Sequence, residues 1–281
     1  MVVIENNTLT ARIWSSLVMF IIFILLLYSN NTGFVFLTQI FLFLANWELL
    51  RMLEYRKKKL NKLSYTNCFL SRCRIPLEDY FMLFFINLFI LSINLSSVFF
   101  QIVAIIIMIC WILININEIK KYVFLIYPSS AFYFLTLFKI ERVLIDYLFF
   151  IVLFAMLVDM SAFFVGRRIG GKKLAINISP GKTISGSIGG IIFPSIICLV
   201  LYYDTNNIHN VIFLTIFLSI ISQFGDLLES KFKRFCYVKD SSNLIPGHGG
   251  VLDRLDSILL LIIVVSIMKL MDYNFFFYSV V

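Results

Sequence analysis

The residues best equipped for chemistry lie between Gly225 and Asp256. Asp226, Ser230, Lys233 and Arg234 stand at i, i+4, i+7 and i+8, so a helix brings them to one face. That face would carry a carboxylate, a hydroxyl and two cations. The carboxylate suits a hard divalent metal and the cations suit phosphate oxygens. Gly225 leaves room for a close approach beside Asp226. Lys239-Asp240 follows, then the turn Pro246-Gly247-His248-Gly249-Gly250. Its glycines let backbone come close to a ligand, and N–H groups ahead of a helix make an anion site. Asp253 and Asp256, at i and i+3, then share the first turn of a new helix. Acids there also suit the helix dipole without any further role. Together with Asp226 and the glycine turn they favour a metal–phosphate site. His248 decides nothing alone.

A second polar stretch runs from Asp159 to Gly190. Asp159 falls inside an apolar run, and Gly166-Arg167-Arg168 and Lys172-Lys173 follow it. Ser179-Pro180-Gly181-Lys182-Thr183-Ile184-Ser185-Gly186 has the superficial look of a phosphate loop. It lacks the Walker spacing, and no strand is expected before it. Lys182 and Thr183 could still contact phosphate.

The elements that must position these residues are helices in a bilayer. A chain of 281 residues that is 60% hydrophobic and 14% charged has too little polar surface for a soluble domain. The expected fold class is all-α, a polytopic integral membrane protein. Its apolar runs are Ile13–Tyr28, Phe34–Leu50, Phe81–Asn94, Val98–Ile116, Tyr122–Phe138, Val143–Val165, Ile188–Tyr203, Val211–Leu228 and Leu255–Met271. The first is read as an uncleaved span, because no small-residue cleavage pattern follows it. The weak one is Tyr122–Phe138, interrupted by Pro128-Ser129-Ser130.

Basic residues cluster at Arg51–Arg74, Arg167–Lys182 and Lys231–Arg254. The positive-inside rule places all three in the cytoplasm only if about nine spans alternate, with the N-terminus inside. Residues 1–142 then hold N-terminal transmembrane helices and a basic cytoplasmic loop at 51–80. Residues 143–281 form the catalytic region, and the two parts make one membrane domain. The first four spans carry almost no buried charge and look structural. Arg56-Lys57-Lys58-Lys59 reads as part of a surface helix and loop on the anionic leaflet. It lacks the interleaved aromatics of a nucleic-acid platform, so no nucleic-acid partner is expected. Cys68, Cys73, Cys110, Cys198 and Cys236 show neither zinc spacing nor a disulfide framework.

With those residues set out, a resemblance is clear. Ser230-x-Phe232-Lys233-Arg234, Lys239-Asp240, Ser242, Ile245-Pro246 and His248-Gly249-Gly250-Val251-x-Asp253-Arg254-Leu255-Asp256 resemble the signature of phosphatidate cytidylyltransferases, the CDP-diacylglycerol synthases. Every fixed position of that pattern is filled. Asp159-x-x-Ala162-Phe163-x-x-Gly166 and Ser179-Pro180-x-Lys182-Thr183 resemble two further family segments. Gly181 and Ser185 depart from the family, which usually has Lys and Glu there.

The resemblance implies transfer of CMP from CTP to phosphatidate, giving CDP-diacylglycerol and pyrophosphate for phospholipid synthesis. It implies Mg²⁺ on Asp226 and Asp253, with Asp256 a further candidate ligand, and allows a second, monovalent cation such as K⁺. Catalytic roles fall on Asp226, Lys233, Arg234, His248 and Asp253. Substrate contacts fall on Lys182, Thr183, Ser230, Lys239, Gly249, Gly250 and Arg254. The partners expected are CTP, phosphatidate and the lipid bilayer of a bacterial inner membrane, with the active site facing the cytoplasm. The family is often dimeric, and the sequence neither supports nor opposes a homodimer. Two rival readings are a CTP-dependent polyprenol or phytol kinase and a transporter using Asp159 and Asp226 as an ion path. The complete His-Gly-Gly-x-x-Asp-Arg-x-Asp string tells against the kinase. Polar spans confined to the second half tell against the transporter.

Overall fold

The computed structural model describes residues 10, 14–22, 24–25, 28–29, 31–60, 73–94, 98–140, 144–202 and 208–271. The chain separates into two compact units, Met1–Ile145 with Lys233–Leu255, and Asp146–Phe232 with Asp256–Val281. The Gly-rich loop of the signature therefore belongs to the same unit as the N-terminal helices.

In the first unit, helix Asn31–Leu60 packs on Leu77–Asn94 and on Ile126–Ile140, and Leu77–Asn94 packs on Val98–Ile114. Phe34, Leu42, Ala45, Leu50, Met52, Leu83 and Ile90 form the apolar centre. The expected run Tyr122–Phe138 is two helices, Ile119–Val123 and Ile126–Ile140. The break falls before Pro128, which then sits in a first turn, where a missing N–H costs nothing. Ser129 Oγ accepts a bond from Asn46 Nδ2 at 3.1 Å. Asp79, fully buried, is paired with Lys121 at 2.5 Å.

The expectation that the first four spans carry almost no buried charge is corrected at Glu48, and the basic stretch that follows also buries charged side chains. Glu48, Arg51, Glu54 and Asp79 are all buried. Residues 51–60 also continue the preceding helix instead of starting a surface helix of their own, and residues 61–72 lie outside the described part.

In the second unit, helix Leu144–Ile169 is followed by an antiparallel hairpin, Lys173–Ala175 with Ser179–Thr183, and then by helix Ile184–Leu201. A strand does precede the Ser179–Gly186 segment, contrary to the expectation. The hairpin is a small β element in an otherwise helical chain. Thr183 ends it as the N-cap of the next helix, its hydroxyl accepting from Gly186 N at 3.1 Å.

Glycines bring that helix close to its neighbour. A Cβ on Gly186 would lie 2.6 Å from the Ala162 carbonyl oxygen, and one on Gly189 would lie 2.5 Å from Val165. Small residues at such contacts are how apolar helices associate without a hydrophobic drive between them. Gly186→Ala is expected to lower stability by about 1–3 kcal/mol, the usual cost of overpacking. Gly181→Ala, where a Cβ meets nothing within 4 Å, is expected to be neutral. Thermal unfolding in detergent compares the two, and equal midpoints would refute the packing account.

Four described helices are long and apolar enough to cross a membrane: Thr32–Leu60, Tyr147–Ile169, Ile184–Leu201 and Ile208–Phe235. Phe163, Phe193 and Phe213 lie exposed on three of them. Cys73, Cys110, Cys198 and Cys236 are free thiols, and Cys68 lies outside the described residues.

Candidate active site

In the first unit, the signature loop is built around two carboxylates. Asp253 Oδ2 accepts from Ser241 N at 2.9 Å, Ser241 Oγ at 3.0 Å and Gly250 N at 2.8 Å. Its Oδ1 accepts from Lys233 Nζ at 2.8 Å. Burial acts to raise the Asp253 pKa, but Lys233 and the two backbone N–H groups outweigh it, and the carboxyl titrates below its ordinary range. Lys233 reaches this carboxylate from the last turn of helix Ile208–Phe235.

The second carboxylate is Glu48, which is outside the expected set. It is fully buried. Its Oε1 accepts from Ser242 Oγ at 2.5 Å and Val251 N at 3.0 Å. Its Oε2 accepts from Ser241 Oγ and Leu252 N, both at 2.8 Å. Val251 and Leu252 supply N–H groups at the start of helix Leu252–Leu270, where an anion is favoured. The one signal in the sequence was an acid beside Trp47 at the end of an apolar run, which usually has a reason to be there.

This arrangement explains two signature glycines. A Cβ on Gly250 would lie 2.0 Å from Ser241 Oγ and 2.5 Å from Glu48 Oε1. Gly249 has φ +88°, and a Cβ there would lie 2.5 Å from Asp253 Oδ2. The space at both glycines is filled by the protein's own carboxylates and a serine, where the sequence had suggested room for a ligand.

The other expected residues of this loop have identifiable places. Arg254 donates from Nη2 to the His248 carbonyl at 2.7 Å and from Nε at 3.2 Å, closing the turn. The His248 ring lies 2.6 Å, at Nδ1, from Ser15 Oγ. Arg234 Nη1 donates to the Val238 carbonyl at 3.2 Å. Lys239, His248, Gly249 and Arg254, with Asp240 and Asn243, line a cleft of about 380 Å³. Three of those residues are basic in type, so the cleft suits an anion.

The basic run of the first long helix fastens the start of this loop. Arg56 stacks on Phe235 and donates to its carbonyl at 3.0 Å, capping the end of helix Ile208–Phe235. Lys59 lies 4.7 Å from the Tyr237 ring. Tyr237 takes a left-handed conformation, φ 61°, and with Val238 returns N–H bonds to Arg234 and Lys233 at 3.0 Å each. That closure usually employs glycine.

In the second unit, Asp226 pairs with Lys182 and accepts from Ser230 Oγ at 3.4 Å. The side chains of Asp226 and Lys182 are 22% and 28% exposed, so the pair is open to exchange with an incoming ion. Thr183 Oγ1 accepts the helix-cap bond from Gly186 N and lies 3.1 Å from Ser185 Oγ. Ser185 donates to the Gly170 carbonyl, which ties the hairpin's entry to the next helix. Asp256 Oδ1 accepts from Ser257 N at 2.8 Å. A Cβ on Gly225 would lie 2.9 Å from the Asp256 carbonyl oxygen, so the room beside Asp226 admits a neighbouring helix.

These placements test the expected Mg²⁺. Among the described residues no three His, Cys, Asp or Glu side chains converge on one point. Mg²⁺ commonly needs only one or two carboxylates, with water and substrate phosphates completing its shell. Asp226 fits that requirement, being a partly exposed oxygen donor held by an exchangeable lysine. Asp253 fits it less well, since Lys233 would have to release it.

Comparison with known proteins decides the family. The sequence model of the Cytidylyltransferase family matches residues 10–271. The chain belongs to that family. It is 40% identical over 139 residues to a phosphatidate cytidylyltransferase of Bacillus subtilis, covering 48% of this chain and 51% of the relative. It is 44% identical over 127 residues to one from Staphylococcus haemolyticus, covering 44% and 49%. With one from Haemophilus influenzae the identity is 48% over 107 residues, covering 36% and 37%. The chain thus spans about half the length, or less, of the curated relatives it matches.

Proposed function

We propose that this member of the cytidylyltransferase family transfers CMP from CTP to phosphatidate. The observation that carries the reading is the signature loop itself: a cleft lined by Lys239, His248 and Arg254, in a chain similar to proteins named for this reaction. An oxygen of the lipid's phosphate monoester attacks the α-phosphorus of CTP. The bond from that phosphorus to the bridging oxygen of the β-phosphate breaks, and pyrophosphate leaves. The nucleophile is already anionic, so a strong general base is not required. The obstacle is charge, since two polyanions must meet, and fixed cations lower that barrier.

Lys239 and Arg254 are the candidates to hold triphosphate oxygens at the cleft, with the His248 ring orienting them. Lys233, fixed by Asp253, presents its charge from a rigid position. In the second unit, Asp226 would be the residue to hold Mg²⁺, which would supply charge neutralisation when bound. Lys182, beside Asp226 in that unit, is a candidate to contact a phosphate oxygen. Purified in detergent with Mg²⁺, the protein is expected to form CDP-diacylglycerol from these two substrates. Turnover of another lipid phosphate acceptor, with none from phosphatidate, would overturn the reading.

The same proposal includes a bilayer setting and a cytoplasmic site in a bacterial inner membrane. Three of the four membrane-length helices end in basic turns, at Lys57–Lys59, Arg167–Arg168 and Lys233–Arg234. Nine alternating spans bring those ends to one side. Single cysteines at positions 57, 172 and 239 of a Cys-free variant are expected to label from the cytoplasm. Labelling of 57 and 172 from opposite sides would reject the nine-span topology.

A further inference from the structure

We infer that Glu48 is a positioning residue for the reaction, acting through the signature loop; this rests on the cytidylyltransferase reading above. The residue belongs to helix Asn31–Leu60 and is far in sequence from every signature position. Its carboxylate nonetheless takes four donors from the loop: Ser241 Oγ, Ser242 Oγ, Val251 N and Leu252 N. Three of these donors serve Glu48 alone, and the fourth, the Ser241 hydroxyl, is shared with Asp253. A buried charge so satisfied fixes the groups around it, and removing it leaves two helix-start N–H groups without their acceptor.

The link to the reacting groups runs through Ser241. Its hydroxyl lies 2.8 Å from Glu48 Oε2 and 3.0 Å from Asp253 Oδ2, while its backbone N–H also donates to Asp253. Asp253 in turn holds Lys233. A single hydroxyl proton cannot serve both carboxylates at once, so Glu48 and Asp253 are read as one unit across Ser241. Arg51, one turn beyond Glu48, secures the same serine by donating to its carbonyl at 3.4 Å. Gly250 completes the argument, because the signature requires glycine where Glu48 and Ser241 occupy the Cβ position. Thus an N-terminal helix sets the geometry of a loop near the other end of the chain.

Three variants test this in the full-length protein: Glu48→Gln, Glu48→Asp and Glu48→Ala. Gln retains length but turns an N–H donor toward Leu252 N or Val251 N. Asp keeps the charge and shortens the reach by one methylene. Turnover at saturating CTP and phosphatidate is expected to fall on the order of a hundredfold in Gln and Ala, as for a reacting group displaced by about an ångström. The KM for CTP is expected to change little, and Asp is expected to recover part of the loss. Backbone hydrogen exchange supplies a readout independent of activity. Amides of residues 241–252 should exchange faster in Glu48→Ala, while those of helix Leu77–Asn94 should keep wild-type protection.

Unchanged exchange in that loop would overturn the inference. So would faster exchange with wild-type turnover, because the contact would then be structural only. Global loss of protection in Glu48→Ala would also count against a local clamp, and Glu48→Gln at wild-type activity would count against the charge. A wild-type protein that transfers nothing to phosphatidate would instead sink the cytidylyltransferase reading, and the positioning role with it.

Discussion

Asp253→Asn is expected to lower turnover by two to three orders of magnitude while the protein remains folded. Breaking a buried ion pair from one side costs about 3–5 kcal/mol, because the surviving charge has no partner. Here the survivor is Lys233, whose side chain is only 13% exposed. An Asn cannot imitate the native contacts either. If its oxygen faces Ser241 N and Gly250 N, its amide nitrogen meets Lys233, donor against donor. In the other orientation it meets the two backbone N–H groups. Steady-state kinetics on the purified variant, beside Lys233→Met and the double variant, measures the coupling. The double variant is expected to fall no further than the worse single one. Near-normal turnover in Asp253→Asn would remove the pair from the account.

The same carboxylate gives a pH expectation. Its folded pKa is depressed, so its contribution is present above the unfolded value of about 3.9 and is lost only as pH falls through the lower folded value. Acidification from pH 7 to about 5 should therefore leave the Lys233–Asp253 pair intact.

Asp226→Asn is expected to cost about a thousandfold at ordinary Mg²⁺, with the Mg²⁺ needed for half-maximal rate displaced upward. Lys182→Met should behave differently. It removes the amine that competes for Asp226, so half-maximal Mg²⁺ should fall or stay, while KM for CTP rises. Turnover against Mg²⁺ concentration separates the two. An identical Mg²⁺ response in Asp226→Asn and the wild type would mean that this carboxylate holds no metal.

Much of the candidate site's composition was legible because it is local. Asp226 to Arg234 share a helix, and the glycine turn before Asp253 announces a helix start in the sequence alone. What those glycines accommodate was not legible. Gly250 reads as room for a ligand until Glu48 arrives from 202 positions away. An isolated acid in an apolar run has no spacing pattern to reveal its partners. Arg56 shows the same limit from the other side. Its run reads as a membrane-surface patch, yet stacking on Phe235 and capping a distant helix are contacts that only the tertiary fold creates. Thr183 is also a helix cap, a role set by local backbone geometry that its place beside Lys182 does not announce. The hairpin before it escaped notice because three- and five-residue strands carry too little periodicity.

The most direct test follows the two ends of the CTP triphosphate. The full-length protein, in detergent with Mg²⁺ and phosphatidate, is given CTP labelled at the α-phosphorus or at the γ-phosphorus in separate reactions. The account predicts α-label in the lipid fraction and γ-label in released pyrophosphate. Label from the γ-position in the lipid would make the protein a kinase and contradict the account. Absence of both labels from the lipid, in a preparation that remains folded and binds CTP, would contradict it equally.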